Sequence, residues 1–229
     1  NALSTHADVD MISFAGSESV GVQINKDASD TVKRVALELG GKSPYIILDD
    51  EKFAEHVAGA TSGMMVNSGQ TCSAGSRLLV PASRLEEAKA VAAEAANAVI
   101  VGDPKGNVAM GPVVSNDQYD TVQRYIQIGL DEGAELIAGG LGRPDGLDKG
   151  YYCQPTVFVT TNDSTIAREE IFGPVLVMIA YENEDDAIAI ANDTEFGLAG
   201  YVQGVDQAKC NALARRIRRG DLPEPDDDL

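Results

Sequence analysis

An α/β fold built on a mostly parallel sheet with helices on both faces is what this sequence predicts, on three observations. Short aliphatic or β-branched runs alternate with helix-length amphipathic segments along nearly the whole chain. Strands separated by helices of ten or more residues pair in parallel through crossovers. Apolar residues make up 44% and charged residues 24% of the 229, the mix of a soluble globular protein with a sizeable core. At about 150 residues per domain, the length suits one large domain and part of another.

Residues 9–14 and 33–39 read as strands flanking a helix at 17–29. Residues 45–48 form a short apolar strand, and 53–65 follow as a helix. The strand at 77–80 (R-L-L-V) is stopped by Pro81, and the alanine-rich stretch 82–99 is helical. Residues 115–132 open on Ser115 as a candidate cap and carry Tyr119, Val122, Ile126 and Leu130 at helical spacing. Strands at 156–160 and Val175–Tyr181 are β-branched; helices at Glu184–Asn192 and 206–219 bracket a strand at 198–203. Glycine and proline clusters at 102–111 and 139–150 mark long surface loops.

Eighteen basic against thirty-six acidic residues leave a net charge of −18. A surface of that sign repels a phosphate backbone, so no nucleic-acid partner is expected. No run approaches the roughly 18 apolar residues of a membrane span, and the first residues carry no signal-peptide pattern. Cys72, Cys153 and Cys210 are too far apart for a disulfide framework, and with His6 and His56 as the two histidines no metal site is expected. The reading is a reduced, cytoplasmic protein. Residues 221–229 hold two prolines and five acids with no base, which reads as a disordered acidic tail.

Four segments carry chemistry. In N-S-G-Q-T-C, Cys72 follows a helix-length segment in a loop of glycine and small polar residues. Substrate can approach closely there, and loop N–H groups can receive a developing oxyanion; the bland alternative is a small buried hydrophobe. In E-L-G-G-K-S-P, Glu38 ends an apolar strand before two glycines, where α/β sites form. Half-buried, it would suit a general base; the alternative is an exposed turn glutamate. In F-A-G-S-E-S-V-G, a strand runs through Gly16–Ser17 into a helix N-terminus, which offers free N–H groups to an anion. This is not G-x-G-x-x-G, and ordinary crossover punctuation explains it equally well. In E-E-I-F-G-P-V, the proline holds the segment around Phe172 extended or in a turn. Cys153 and Cys210 lack such surroundings and read as structural. Arg77 is close in sequence to the cysteine motif, with its direction open.

Taken in order, these segments and N-D-T-E-F-G-L-A resemble the aldehyde dehydrogenase superfamily, over residues 9–220. The resemblance implies oxidation of a small-molecule aldehyde to a carboxylic acid with NAD, the default, or NADP. Cys72 is then the nucleophile that gives a thiohemiacetal and, after hydride transfer, a thioester. Glu38 activates the hydrolytic water, and the Cys72 N–H supplies part of the oxyanion hole. Gly16 and Ser17 fall at the cofactor pyrophosphate and Val20 beside the adenine. The Leu39 backbone and Phe172 border the nicotinamide, and Glu170 holds its ribose. The resemblance further implies a homo-oligomer. Residues 1–39 match a remnant of the dinucleotide-binding domain and 40–220 the catalytic domain.

Segments that family members carry before residue 9 and after residue 220 have no counterpart here, so cofactor binding is expected to be impaired. Two other functions stay open: a cofactor-independent cysteine esterase using Cys72 and Glu38, and a non-catalytic interaction module.

Overall fold

The computed structural model describes residues 2–218, which fall into two compact units dividing between Gly41 and Lys42. The acidic tail expected at 221–229, and Arg219 at the end of the last expected helix, lie outside the described residues.

The first unit is a single crossover. A short helix α1 (Ala2–Thr5) precedes strand β1 (Met11–Ala15), helix α2 (Glu18–Ser29) and strand β2 (Arg34–Glu38). β1 and β2 pair in parallel from Met11↔Arg34 to Ala15↔Glu38. Parallel strands cannot be joined by a tight turn, and α2 supplies the crossover that this pairing requires. Both strands alternate exposed and half-buried residues.

The second unit carries a six-stranded sheet in the order β5-β6-β7-β4-β3-β8. Its strands are β3 (Pro44–Ile47), β4 (Arg77–Pro81), β5 (Glu135–Ala138), β6 (Thr156–Val159), β7 (Val175–Tyr181) and β8 (Tyr201–Gln203). Every pairing is parallel except β5 with β6, so the sheet is mostly parallel with one antiparallel edge. The central strands are buried at all but one position, and apart from Arg77 at the start of β4 their sequences, L-L-V-P and V-L-V-M-I-A-Y, run apolar without alternation. Helices cover both faces. On one, α3 (Phe53–Met64) and α4 (Leu85–Asn97) pack Phe53, Val57, Ala88 and Ala92 onto Leu78, Val80, Leu176 and Met178. On the other, α5 (Asn116–Asp131) and α6 (Thr165–Arg168) cover Val175, Val177 and Ile179. There too α7 (Glu184–Asn192) and α8 (Gln207–Ala214) cover Ile46, Leu48 and Leu79.

Several element bounds differ from the sequence reading. β5 was not expected: it has four residues, sits at an edge and has a register shift between Leu136 and Ala138, so it lacks a strand's alternation. Pro81 does not stop β4 but ends it, paired with Tyr181, because its missing N–H falls at the last rung. The helix expected from residue 82 opens as a 3₁₀ turn over Ala82–Arg84 and becomes α-helical at Leu85. Ser115 does cap α5, its Oγ accepting from the Gln118 N–H at 3.2 Å. Asp206 caps α8 in the same way through the Lys209 N–H.

Candidate active site

The segment leading to Cys72 leaves α3 with an abrupt change of backbone. Asn67, Ser68 and Gly69 all adopt the left-handed conformation, at φ of 53°, 57° and 69°. Asparagine tolerates that region and glycine adopts it freely, but for serine it is costly. Tertiary bonds hold the turn. The Ser68 hydroxyl donates to the Gly111 carbonyl at 2.8 Å. Asn67 Nδ2 donates to the Gln70 carbonyl at 2.9 Å, and Gln70 Oε1 accepts from the Val114 N–H at 2.9 Å. Past this clamp the chain emerges at Cys72, which is exposed. Thr71 and Ser73 border a hollow of about 280 Å³ walled by Tyr45, Met64, Val66 and Tyr201. The Tyr201 hydroxyl donates to the Ser73 carbonyl at 2.8 Å, which anchors the far side of the loop.

Gly69 also joins this loop to the one carrying Phe172. A Cβ on Gly69 would lie 2.1 Å from the Gly173 carbonyl oxygen. The two main chains are therefore in direct contact. A Gly69→Ala variant combines that clash with a positive φ, and a loss of about 2–4 kcal/mol of stability is expected. Urea denaturation measures it, and a loss below 1 kcal/mol would show that the two loops separate cheaply.

Of the two conformations the sequence suggested for Phe172, extended or a turn, the structure shows a turn: its φ is +54°, and the residue is 40% exposed. The following proline restrains Gly173, not Phe172; the left-handed turn is held from outside by Gln118. The amide Nε2 of Gln118 donates to the Ile171 carbonyl at 3.0 Å and the Phe172 carbonyl at 2.8 Å. Sequence reasoning missed Gln118, which in N-D-Q-Y on an amphipathic helix looks like a solvent-facing residue. In the same segment the Tyr125 hydroxyl donates to Glu169 Oε2 at 2.6 Å, and Glu170 is half-buried.

Glu38, Leu39, Gly16, Ser17 and Val20 belong to the first unit. There the Gly16 N–H donates to the Glu38 carbonyl at 3.0 Å, placing Glu38 beside the turn into α2. Glu38 is exposed, not the half-buried base expected, because β2 lies in a two-stranded sheet with alternate residues open. A Cβ on Gly16 would lie 2.5 Å from Phe14 Cζ, so the turn is kept free of a side chain. Ser17 makes no side-chain cap on α2, leaving the first N–H groups of a twelve-residue helix without that partner. This suits a phosphate at the helix N-terminus. Val20 is exposed on the first turn.

Two cations lie in the interior of the second unit. Arg77 is fully buried and does not face a substrate. Its Nε donates to the Lys42 carbonyl, Nη1 to Asn162 Oδ1 and the Ile190 carbonyl, and Nη2 to the Ala191 carbonyl, each at 2.9 Å. Burial, and then Arg168, lowers its pKa to about 10, so it stays charged at neutral pH. Asp193 opposes that fall, and the carbonyl end of α7 accepts two of the guanidinium's hydrogen bonds. Lys42, 1% exposed, has no hydrogen-bond partner for Nζ among the described residues.

The other thiols are withdrawn from chemistry. Cys153 is buried, and desolvation pushes its pKa up to about 12. Cys210 is raised by burial and then by Asp206 and Asp50. Among the described residues no group of three or more His, Cys, Asp or Glu is placed to hold a metal, and no helix is long and apolar enough to cross a membrane.

Comparison with known proteins agrees with the motifs. The family model described as the aldehyde dehydrogenase family matches residues 1–223. A Staphylococcus haemolyticus protein that carries an aldehyde dehydrogenase designation is 50% identical over 222 residues, which is 96% of this chain and 47% of that protein. Among solved structures, aldehyde dehydrogenase C from Pseudomonas syringae, crystallised with NAD+ and octanal, superposes with a TM-score of 0.94 at 45% identity. That match covers 98% of this chain and 47% of the other. An aldehyde dehydrogenase of Mycobacterium tuberculosis, complexed with NAD+, gives 0.92 at 45% identity, covering 96% and 46%. The chain spans about half the length of the relatives it matches. With a family match across nearly its whole length and half its residues identical to a relative's, the chain belongs to the aldehyde dehydrogenase family.

Proposed function

We propose that this chain carries the catalytic nucleophile and part of the cofactor site of an aldehyde-oxidising, NAD(P)-dependent enzyme. The observation that carries the reading is the exposure of Cys72 at the end of a turn whose left-handed backbone is clamped by Ser68, Gln70 and the Gly69–Gly173 contact. A loop held so firmly presents its thiol in one place, as covalent catalysis requires.

The Cys72 thiolate attacks the aldehyde carbon, and the carbonyl electrons move to oxygen as the thiohemiacetal forms. The Cys72 N–H, which has no hydrogen-bond partner among the described residues, is free to receive that oxygen. NAD(P), when bound, would accept the hydride as the Cys72 thiohemiacetal becomes a thioester. Water, giving up a proton to Glu38, then attacks the thioester carbon, and the thiol leaves with the carboxylic acid as product. For the cofactor, Gly16 and Ser17 would take the pyrophosphate, Val20 the adenine, Glu170 the ribose, and Leu39 and Phe172 the nicotinamide. Binding is weak on this reading: the first unit offers a two-stranded sheet, six of whose ten residues are exposed.

Acylation by p-nitrophenyl acetate, located by peptide mass spectrometry, tests the nucleophile without the cofactor. Cys72 is expected to acylate, and to alkylate with iodoacetamide at pH 7.5, about tenfold or more faster than Cys153 or Cys210. Aldehyde-dependent NADH formation, followed by absorbance, is expected to vanish in Cys72→Ser wherever it is seen. Acylation without any NAD(P) binding would favour the esterase. Equal labelling of all three cysteines would leave only the interaction module.

A further inference from the structure

We infer that Tyr201, braced by Tyr45, is a positioning residue for Cys72, fixing the turn that presents the thiol. The inference rests on Cys72 being the nucleophile proposed above. The two tyrosines are register partners on the parallel strands β3 and β8. Their rings stack, with centroids 5.1 Å apart and planes 24° from parallel. The Tyr45 hydroxyl donates to Oε1 of Gln203, which lies two residues beyond Tyr201 and so on the same face of β8. Stack and hydrogen bond together restrain both rings. The Tyr201 hydroxyl, so placed, donates to the Ser73 carbonyl at 2.8 Å. The Tyr45 ring meets the same loop a little further along. A Cβ on Gly75 would lie 2.6 Å from Tyr45 Cδ2 and 3.2 Å from its Cβ, so the main chain at Gly75 runs directly against that side chain.

Placement along the chain gives the tyrosines their role. The Ala74 N–H donates to the Thr71 carbonyl at 3.0 Å, which closes a β-turn with Cys72 and Ser73 at its centre. Such a turn can still rock about its two ends. Upstream, Gln70 Oε1 accepts from the Val114 N–H, which ties the entry. The bond from Tyr201 ties the turn at its second central residue, leaving Thr71 and Cys72 between the two anchors. Each of those residues has two soft backbone torsions, so little freedom remains where the thiol is carried. Attack on a carbonyl needs the thiol and the oxyanion-binding N–H aimed together, whereas alkylation needs the thiol alone. Comparing the two reactions therefore separates aim from exposure.

Tyr201→Phe keeps the ring and its stack and removes the hydroxyl. In this variant of the chain, acylation of Cys72 by p-nitrophenyl acetate is expected to slow about tenfold, the factor carried by one hydrogen bond of ordinary net strength. Alkylation of Cys72 by iodoacetamide should stay within about twofold of native, since it needs exposure and not aim. Cys153 and Cys210 should alkylate as slowly as before, which shows that the fold stays closed. Hydrogen exchange by NMR follows the loop without any reaction. The Ala74 and Ser76 amides, both bonded within the loop, are expected to exchange about tenfold faster while α3 and β4 keep their protection. Acylation of the native chain with unchanged exchange in the variant overturns this inference alone. Faster exchange with acylation at the native rate also overturns it, because Tyr201 would then hold the loop without aiming the thiol. Equal slowing of acylation and alkylation does the same, since lost exposure would be the cause. A native chain alkylated but never acylated at Cys72 overturns both this inference and the nucleophile reading beneath it.

Discussion

Replacing Arg77 by methionine is expected to cost about 3–5 kcal/mol of folding stability, the loss of several donors to buried acceptors. The guanidinium spans three otherwise separate parts of the second unit: the chain entering β3 at Lys42, the loop after β6 at Asn162, and the end of α7 at Ile190 and Ala191. Methionine fills much of the volume but donates nothing, so buried carbonyls lose their partner at about 1–3 kcal/mol each, reduced where water enters. Set against a typical total of about 5–15 kcal/mol, the variant sits near the edge of folding. Arg77→Lys is expected to recover only part, because one ammonium cannot reach acceptors on three sides. Urea midpoints for the two variants check both statements. A methionine variant within 1 kcal/mol of the native chain would mean that those acceptors find water or one another.

The same residue shows where a linear reading stops. Its position one strand-start beyond the cysteine motif left open a role toward substrate, because direction is a tertiary property. Local pattern is legible where burial is uniform: past Arg77, β4 is apolar, and β7 is apolar along its length, because both faces of the sheet are covered, and α5 shows its buried stripe and serine cap. β5 left no comparable trace, since an exposed four-residue edge strand needs neither alternation nor a long apolar run.

At the site, residue identity was legible and conformation was not. Cys72 stands out by its glycine-containing loop, but the left-handed run at Asn67–Gly69 depends on Gly111, Val114 and Gly173, which are distant in sequence. Phe172 was expected to be extended or in a turn and is left-handed because Gln118, on another element, takes its carbonyl. Nothing local in E-L-G-G-K-S-P says that a lysine after two glycines is buried, yet Lys42 is enclosed.

The second large effect concerns Glu38. Glu38→Gln is expected to leave acylation of Cys72 by p-nitrophenyl acetate at its native rate or slightly faster, while slowing release of the acyl group about 10²–10⁴-fold, the usual contribution of a positioned base. Glutamine matches glutamate in shape, and the main-chain bond from the Gly16 N–H to the residue 38 carbonyl survives, so the turn into α2 keeps its form. The side chain is exposed, so stability should change by no more than about 0.5 kcal/mol. On the proposed reading, what disappears is the oxygen that takes a proton from the attacking water. Attack by the thiolate needs no such acceptor, and removing a negative charge cannot hinder formation of another. The acyl-enzyme should therefore accumulate in the variant and be seen by intact-mass spectrometry minutes after the ester is spent. Release at the native rate in Glu38→Gln would show that solvent alone hydrolyses the acyl group, and Glu38 would then be no more than the exposed end of β2.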